Sequence, residues 1–222
     1  MPGRFITIEG IEGVGKTTQA RLLARALERA GSAVCLTREP GGTPEAEALR
    51  TLLLRGSFDW SPRAEALLHF AARAEHVDRV IAPALARGEW VISDRYSDST
   101  MAYQGYGQGS DRSFIGGLRR LLALDPDLTI ILDLPLEVAR TRLAGRGLPL
   151  FERAEGPGST AEKDRYEALG QDFFARVREG FREIATAEPE RCLMLDSTGA
   201  IPAVHEQILA AVLEHFMVAP AQ

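Results

Sequence analysis

Short apolar runs and amphipathic stretches alternate along this chain from one end to the other. Five runs, Phe5–Ile8, Ala33–Leu36, Trp90–Ile92, Leu128–Leu132 and Cys192–Leu195, show little of the polar alternation of a sheet with one wet face. They read as short buried strands of a parallel sheet. Between them, helical stretches cover Thr17–Ala30, Pro44–Leu54, Pro62–Ala86, Arg112–Leu124, Leu136–Leu143, Lys163–Ala187 and Pro202–Phe216. Alternation at this spacing predicts an α/β fold, a doubly wound five-stranded parallel sheet flanked by helices with right-handed crossovers. No repeat or linker breaks the pattern, so residues 1–222 are expected to form a single domain. Two segments fall outside it. Gln104–Ser110 is glycine-rich and reads as a loop. Gly145–Thr160 carries glycine, proline and arginine without a period, and its length suggests a lid over an active site, at about 145–163.

Composition narrows the classes. Apolar residues make up 45% of the chain, enough for a core. No apolar run approaches the roughly 18 residues of a membrane span. Met1-Pro2-Gly3-Arg4 leads into the first strand without a signal-peptide pattern, so a cytoplasmic protein without a membrane partner is expected. A net charge of −5 argues against nucleic acid as a partner. Cys35 and Cys192 lie in strands expected to be interior, as buried reduced thiols. His76, His205 and His215 have no metal-ligand partner at useful spacing and read as surface or helix-packing residues. Only Lys16 and Lys163 among the 26 basic residues are lysines, and the chain has no asparagine.

One of those lysines sits in a glycine loop. Gly10-Ile11-Glu12-Gly13-Val14-Gly15-Lys16-Thr17 matches the Walker A pattern, with a strand before it and an amphipathic helix after. Such a loop turns consecutive backbone N–H groups towards phosphate oxygens, and the helix that follows adds the positive end of its dipole. Lys16 would neutralise charge between the β- and γ-phosphates of ATP, and the Thr17 hydroxyl is placed to ligate Mg²⁺. The loop alone does not separate kinases from switches or motors. A guanine reader of the Asn-Lys-x-Asp type is excluded by the lack of asparagine, which leaves a small-molecule kinase as the leading class.

The acceptor side is written after the second and third strands. Asp94-Arg95-Tyr96 leaves the carboxyl end of Trp90–Ile92, where open α/β sheets bind their ligands. Asp94 can take a proton or hold Mg²⁺ through water, and Arg95 can clamp a phosphate. Arg38-Glu39-Pro40-Gly41-Gly42 reaches the same edge, and His69-Phe70-Ala71-Ala72-Arg73 lies in the long helix. In order, Glu9-Gly10 through Thr17-Thr18, Arg38-Glu39-Pro40-Gly41-Gly42-Thr43, Asp94-Arg95-Tyr96 with Ala102-Tyr103-Gln104-Gly105, Leu132-Asp133-Leu134-Pro135 and Asp164-Arg165-Tyr166-Glu167 make the chain resemble bacterial thymidylate kinases over nearly its whole length.

That resemblance implies ATP-dependent phosphorylation of dTMP to dTDP by a homodimer using Mg²⁺. It implies that residues 10–18 (Gly10, Ile11, Glu12, Gly13, Val14, Gly15, Lys16, Thr17 and Thr18) hold ATP, and that Glu12 faces the sugar 3′-hydroxyl and the magnesium region. Thr17 and Asp94 serve the metal, and Arg95 binds the 5′-phosphate of the acceptor. Glu39 and Pro40 line the acceptor site. Arg73 donates to the 4-carbonyl of thymine, Thr100 and Gln104 lie near the base edge, and Tyr103 crowds a 2′-hydroxyl. Where relatives usually place the phenylalanine that stacks on thymine, this chain has His69, with Phe70 one place later; either ring can stack. Relatives with an acidic loop residue like Glu12 supply a catalytic arginine from the lid, for which Arg153 and Arg165 sit in family-like contexts, with Arg142 and Arg146 nearby. Another nucleotide or nucleoside kinase, and a nucleotide-dependent switch, are the competing classes.

Overall fold

The computed structural model describes residues 3–55, 58–145 and 170–217. Five strands, β1 (Arg4–Glu9), β2 (Val34–Arg38), β3 (Trp90–Asp94), β4 (Leu128–Asp133) and β5 (Cys192–Asp196), form one parallel sheet in the order β2-β3-β1-β4-β5. The helices are α1 (Lys16–Arg29), α2 (Pro44–Arg55), α3 (Pro62–His76), α4 (Ala82–Ala86), α5 (Ser97–Thr100), α6 (Arg112–Leu122), α7 (Leu136–Ala144), α8 (Gly170–Ala187) and α9 (Ile201–Met217). A π-helical turn at Val77–Ile81 joins α3 to α4, so the stretch read as one long helix is one, with a wider turn inside it. Ser61 starts it by accepting from the Ala64 N–H, with Pro62 in the first turn.

Alternation along β1 separates the two faces of the sheet. Ile6 and Ile8 pack with Ala20, Leu23, Ala24 and Leu27 of α1 and Ile208 and Val212 of α9. Phe5 meets Val77, Ile81 and Tyr96 on the other side. Thr7 shares that second face and pairs its hydroxyl with Thr129 at 2.9 Å. Glu9, next on the same face, is fully buried at the carboxyl edge of the central strand. The in-register partners Ile8, Asp94 and Arg38 bring the loops after β1, β3 and β2 to one edge. Two hydrogen bonds carry the ladder past the strands, Arg95 N–H to Ile8 O at 3.0 Å and Glu39 N–H to Asp94 O at 2.9 Å.

Two expectations change. The run Gln104–Ser110 is largely helical: α5 continues into a π-helical turn at Met101–Gly107. Its glycine at 107 serves close approach, because a Cβ there would collide with the Phe173 ring and stand 2.8 Å from Val177 of α8. Nor are the cysteines on interior strands. β2 and β5 are the two edges of the sheet, Cys35 is half-buried, and Cys192 is buried with its thiol pushed up to about 12 by burial and by Asp98. The expected lid falls almost wholly outside the described residues. No described helix is long and apolar enough to cross a membrane.

Candidate active site

The glycine loop wraps the end of β1. Gly10 has φ +130°, and a Cβ on it would collide with the Leu132 carbonyl. Ile11 and Val14 anchor the loop in the core. Gly15, at φ +99°, caps α1 without any side-chain acceptor and faces open space. The first N–H groups of a 14-residue helix therefore stay available to an anion. Lys16 follows, buried, with Nζ 2.8 Å from the Ile11 carbonyl. Burial and then the Arg95 charge push its ammonium down to about 8, against the pull of Glu12, Asp94 and Glu9. The Thr17 hydroxyl donates directly to Asp94 Oδ2, which joins the loop to the end of β3. Thr18 is half-buried in the same turn.

Arg95 lies just past β3, between the glycine loop and α5. Its backbone is left-handed at φ 73°, unusual for a residue with a side chain and a conformation that collects at functional sites. The guanidinium pairs with Glu12 and donates to Gly10 O at 3.2 Å, Ser99 Oγ at 2.9 Å and Tyr103 Oη at 3.3 Å. Tyr103 donates in turn to Glu12 Oε2 at 2.6 Å. Burial opposes the charge on Arg95, but Tyr103, Glu12, Asp94 and Glu9 outweigh it and hold the guanidinium above its ordinary value. Glu9 steadies the segment from below, accepting from Tyr96 N–H at 2.7 Å and Ser99 Oγ at 2.6 Å. Burial, then Asp98, push the Glu9 carboxyl well up.

A second cluster lies around Arg73, which is 2% exposed. Its Nε donates to Glu39 Oε2 at 2.7 Å, and Nη2 donates to Tyr96 O at 3.0 Å and Thr100 Oγ1 at 3.1 Å. Its third nitrogen, Nη1, is buried with no hydrogen-bond partner. The guanidinium lies over the Phe70 ring at 4.6 Å and the Tyr96 ring at 5.1 Å. Phe70 is buried against Ala66 and Ile115. His69 is half-buried, and loss of solvation followed by the charges of Arg73, Arg95 and Arg50 pushes its imidazole down to about 3, so the ring is neutral at pH 7. Pro40, after a cis Glu39–Pro40 bond, accepts from Arg50 Nη1 at 2.9 Å.

The structure thus gathers Glu12, Lys16, Thr17, Asp94, Arg95 and Tyr103 into one group, and Glu39, Phe70, Arg73 and Thr100 into its neighbour. Gln104 is buried and donates to Glu65 Oε1 at 2.8 Å. Arg153 and Arg165, like Arg146, lie outside the described residues; Arg142 donates to the Thr198 carbonyl at 3.0 Å. Sequence reasoning passed over Glu65, a carboxylate 1% exposed, and read His76 as a surface or helix-packing residue without its partner: it is fully buried, beside Glu39. In both cases the only signal was an ionisable residue on the inward face of α3.

Nothing in this cleft offers a metal cluster of three or more His, Cys, Asp or Glu among the described residues. It offers a hydroxyl, a carboxylate and the Arg95 guanidinium beside the glycine loop, joined by about one helix turn of α5 to the separate cluster around Arg73. Comparisons with known proteins point to one family. A family model described as thymidylate kinase matches residues 8–208. The thymidylate kinase of Gluconobacter oxydans is 49% identical over 220 residues, covering 97% of each chain. That of Caulobacter vibrioides is 46% identical, covering 96% of this chain and 97% of its own. A crystal structure of thymidylate kinase from Ehrlichia chaffeensis superposes with a TM-score of 0.73 at 35% identity, over 96% of this chain and 99% of that one. Motif order, sheet order and near-complete coverage converge, and the chain belongs to the thymidylate kinase family.

Proposed function

We propose that this enzyme transfers the γ-phosphate of ATP to dTMP, giving dTDP and ADP. The observation that carries the choice of acceptor is Arg73. Its Nε and Nη2 are committed to Glu39, Tyr96 and Thr100, and the buried Nη1 is left as a donor with no partner. A donor in that position calls for a carbonyl on the ligand, which thymine carries at its 4-position. Phe70 supports Arg73 from the core side, so the neutral His69 ring is the one offered to the base as a stacking surface. Tyr103, hydrogen-bonded to Arg95 and Glu12, crowds a 2′-hydroxyl.

Phosphoryl transfer between two phosphates needs little covalent help. It needs two anions held in line with their repulsion neutralised. The loop N–H groups and Lys16 hold the donor, with Ile11 and Val14 fixing the loop. Arg95 takes the acceptor phosphate, and Glu12 takes the sugar hydroxyl once Arg95 has a phosphate to face. Thr17 and Asp94 present hard oxygen atoms at hydrogen-bond contact, a donor set that suits Mg²⁺, which usually takes one or two protein oxygens and fills the rest with phosphate and water. Mg²⁺ there would add positive charge between the phosphates. We assign the remaining catalytic arginine to Arg153 or Arg165, and expect a single-domain, cytoplasmic protein that is a homodimer, the last as the family resemblance implies.

A coupled ADP-release assay across nucleoside monophosphates tests the reading. Cytosine places an amino group against Arg73 and should lose a few kcal/mol, making cytidine monophosphates very poor acceptors. Removing one methyl costs only ~1–3 kcal/mol, so dUMP should work weakly. The order dTMP, then dUMP, then all others is expected. If dCMP or a purine monophosphate matched dTMP in kcat/KM, the acceptor assignment would be wrong.

A further inference from the structure

A lone carboxylate is a poor fixture for a guanidinium, because its side chain keeps its own rotational freedom. Glu39 is not left free in this way. Behind it stands His76 at the end of α3, with no solvent exposure. His76 Nδ1 lies 3.0 Å from Glu39 Oε1, while Glu39 Oε2 accepts from Arg73 Nε at 2.7 Å. A carboxylate only accepts, so the ring proton sits on Nδ1 and the direction of the contact is fixed. The other ring nitrogen, Nε2, is 2.7 Å from Thr37 Oγ1 of β2. The imidazole is also wedged by backbone: a Cβ on Gly42 would stand 2.5 Å from Nε2. A strand, the loop after it and the end of a helix therefore close on one ring.

We infer that His76 is a positioning residue for acceptor recognition: acting through Glu39, it fixes the rotation of the Arg73 guanidinium so that Nη1 is the donor presented to the substrate. The guanidinium is planar, so holding Nε from one side and Nη2 from the other determines where Nη1 points. Releasing Glu39 removes the first of those two holds. A ligand-reading group is only as well aimed as the groups behind it. The inference rests on the reading of Arg73 as the group that meets the base carbonyl.

His76→Leu removes the Nδ1 donor at similar volume, whereas His76→Asn keeps an N–H near that position. Steady-state kinetics with dTMP, dCMP and ATP should show KM for dTMP rising about tenfold in His76→Leu, with KM for ATP within about twofold. The dTMP-over-dCMP preference should narrow by about tenfold, since a loosely held Arg73 discriminates less. His76→Asn should recover most of both. In an Arg73→Ala background, His76→Leu should raise KM for dTMP no further, because the two act as one unit. If His76→Leu does not fold, Thr37→Val gives the same readouts with a shift of about two- to threefold. Lowered Tm with an unchanged dTMP preference, or losses that add in the double variant, would overturn the role of His76. A wild-type enzyme without preference for dTMP over dCMP would instead overturn the reading of Arg73.

Discussion

Gly42 and Gly31 form a natural pair for separating backbone cost from packing cost. Both are left-handed, at φ +93° and +87°. At Gly31, which follows α1, a Cβ would meet nothing within 4 Å. At Gly42 it would stand 2.5 Å from His76 Nε2 and 3.0 Å from Thr37 Oγ1. Alanine in the left-handed region costs ~1–2 kcal/mol, and both variants carry that cost. Only Gly42→Ala must also displace a fully buried imidazole held at both nitrogens, and overpacking of that kind adds ~1–3 kcal/mol. At ~2–4 °C per kcal/mol for a chain of this length, Gly42→Ala should melt about 2–12 °C below Gly31→Ala. Calorimetry on the two purified variants reads the difference directly, and acceptor KM should rise in the first alone. Equal melting temperatures would show that the ring behind Glu39 is not tightly packed, and would undo the argument from Gly42.

Lys16→Met should lower kcat by about 10²–10³ with the fold intact by circular dichroism, as expected for loss of one charge contact in the transition state; near-normal turnover would remove Lys16 from the mechanism. The imidazole NMR signals of His69 should stay flat from pH 8 to pH 5, because its folded value lies near 3. The sign follows: below about 6.5 the unfolded chain takes up a proton that the folded chain refuses, so His69 contributes a loss of stability as pH falls from there towards 3. A His69 midpoint near 6.5 would contradict the loss of solvation and the cationic neighbours around the ring. Asp98→Asn breaks a pair in which Asp98 receives Arg191 through two nitrogens at 2.7 and 2.8 Å, and should destabilise by ~3–5 kcal/mol in urea unfolding; a loss below about 1 kcal/mol would mean that the pair is effectively solvated.

What could be read from the sequence was local. The glycine loop, five strands and the long helix from Pro62 each carry their signal within about twenty residues, and hydrophobic period or glycine spacing is enough to find them. What depends on pairing across the fold was not legible. Cys35 and Cys192 sit in apolar runs like the central strands, and only strand order makes their strands edges. Glycine at 107 looked like loop chemistry because its reason, the Phe173 ring, lies 66 residues away. His76 meets Glu39 across 37 positions, and nothing near either residue announces the other. The roles of Arg73, Thr100 and Tyr103 came from family resemblance, and the structure adds which atoms of each are already spoken for.

The contact between Arg95 and Glu12 also bears on selectivity among anions. Arg95 does not stand as an isolated positive charge; it faces a carboxylate that Tyr103 holds in place. Any anion that reaches Arg95 must compete with a tethered one. Inorganic phosphate or sulfate brings nothing to offer Glu12 in exchange. On the proposed assignments a nucleotide would, its sugar hydroxyl meeting the displaced carboxylate while its base meets Arg73. On the proposed roles of Arg95, Glu12 and Arg73, the ion pair would act as an internal competitor that small anions must displace and that a ligand long enough to satisfy both partners displaces at less cost.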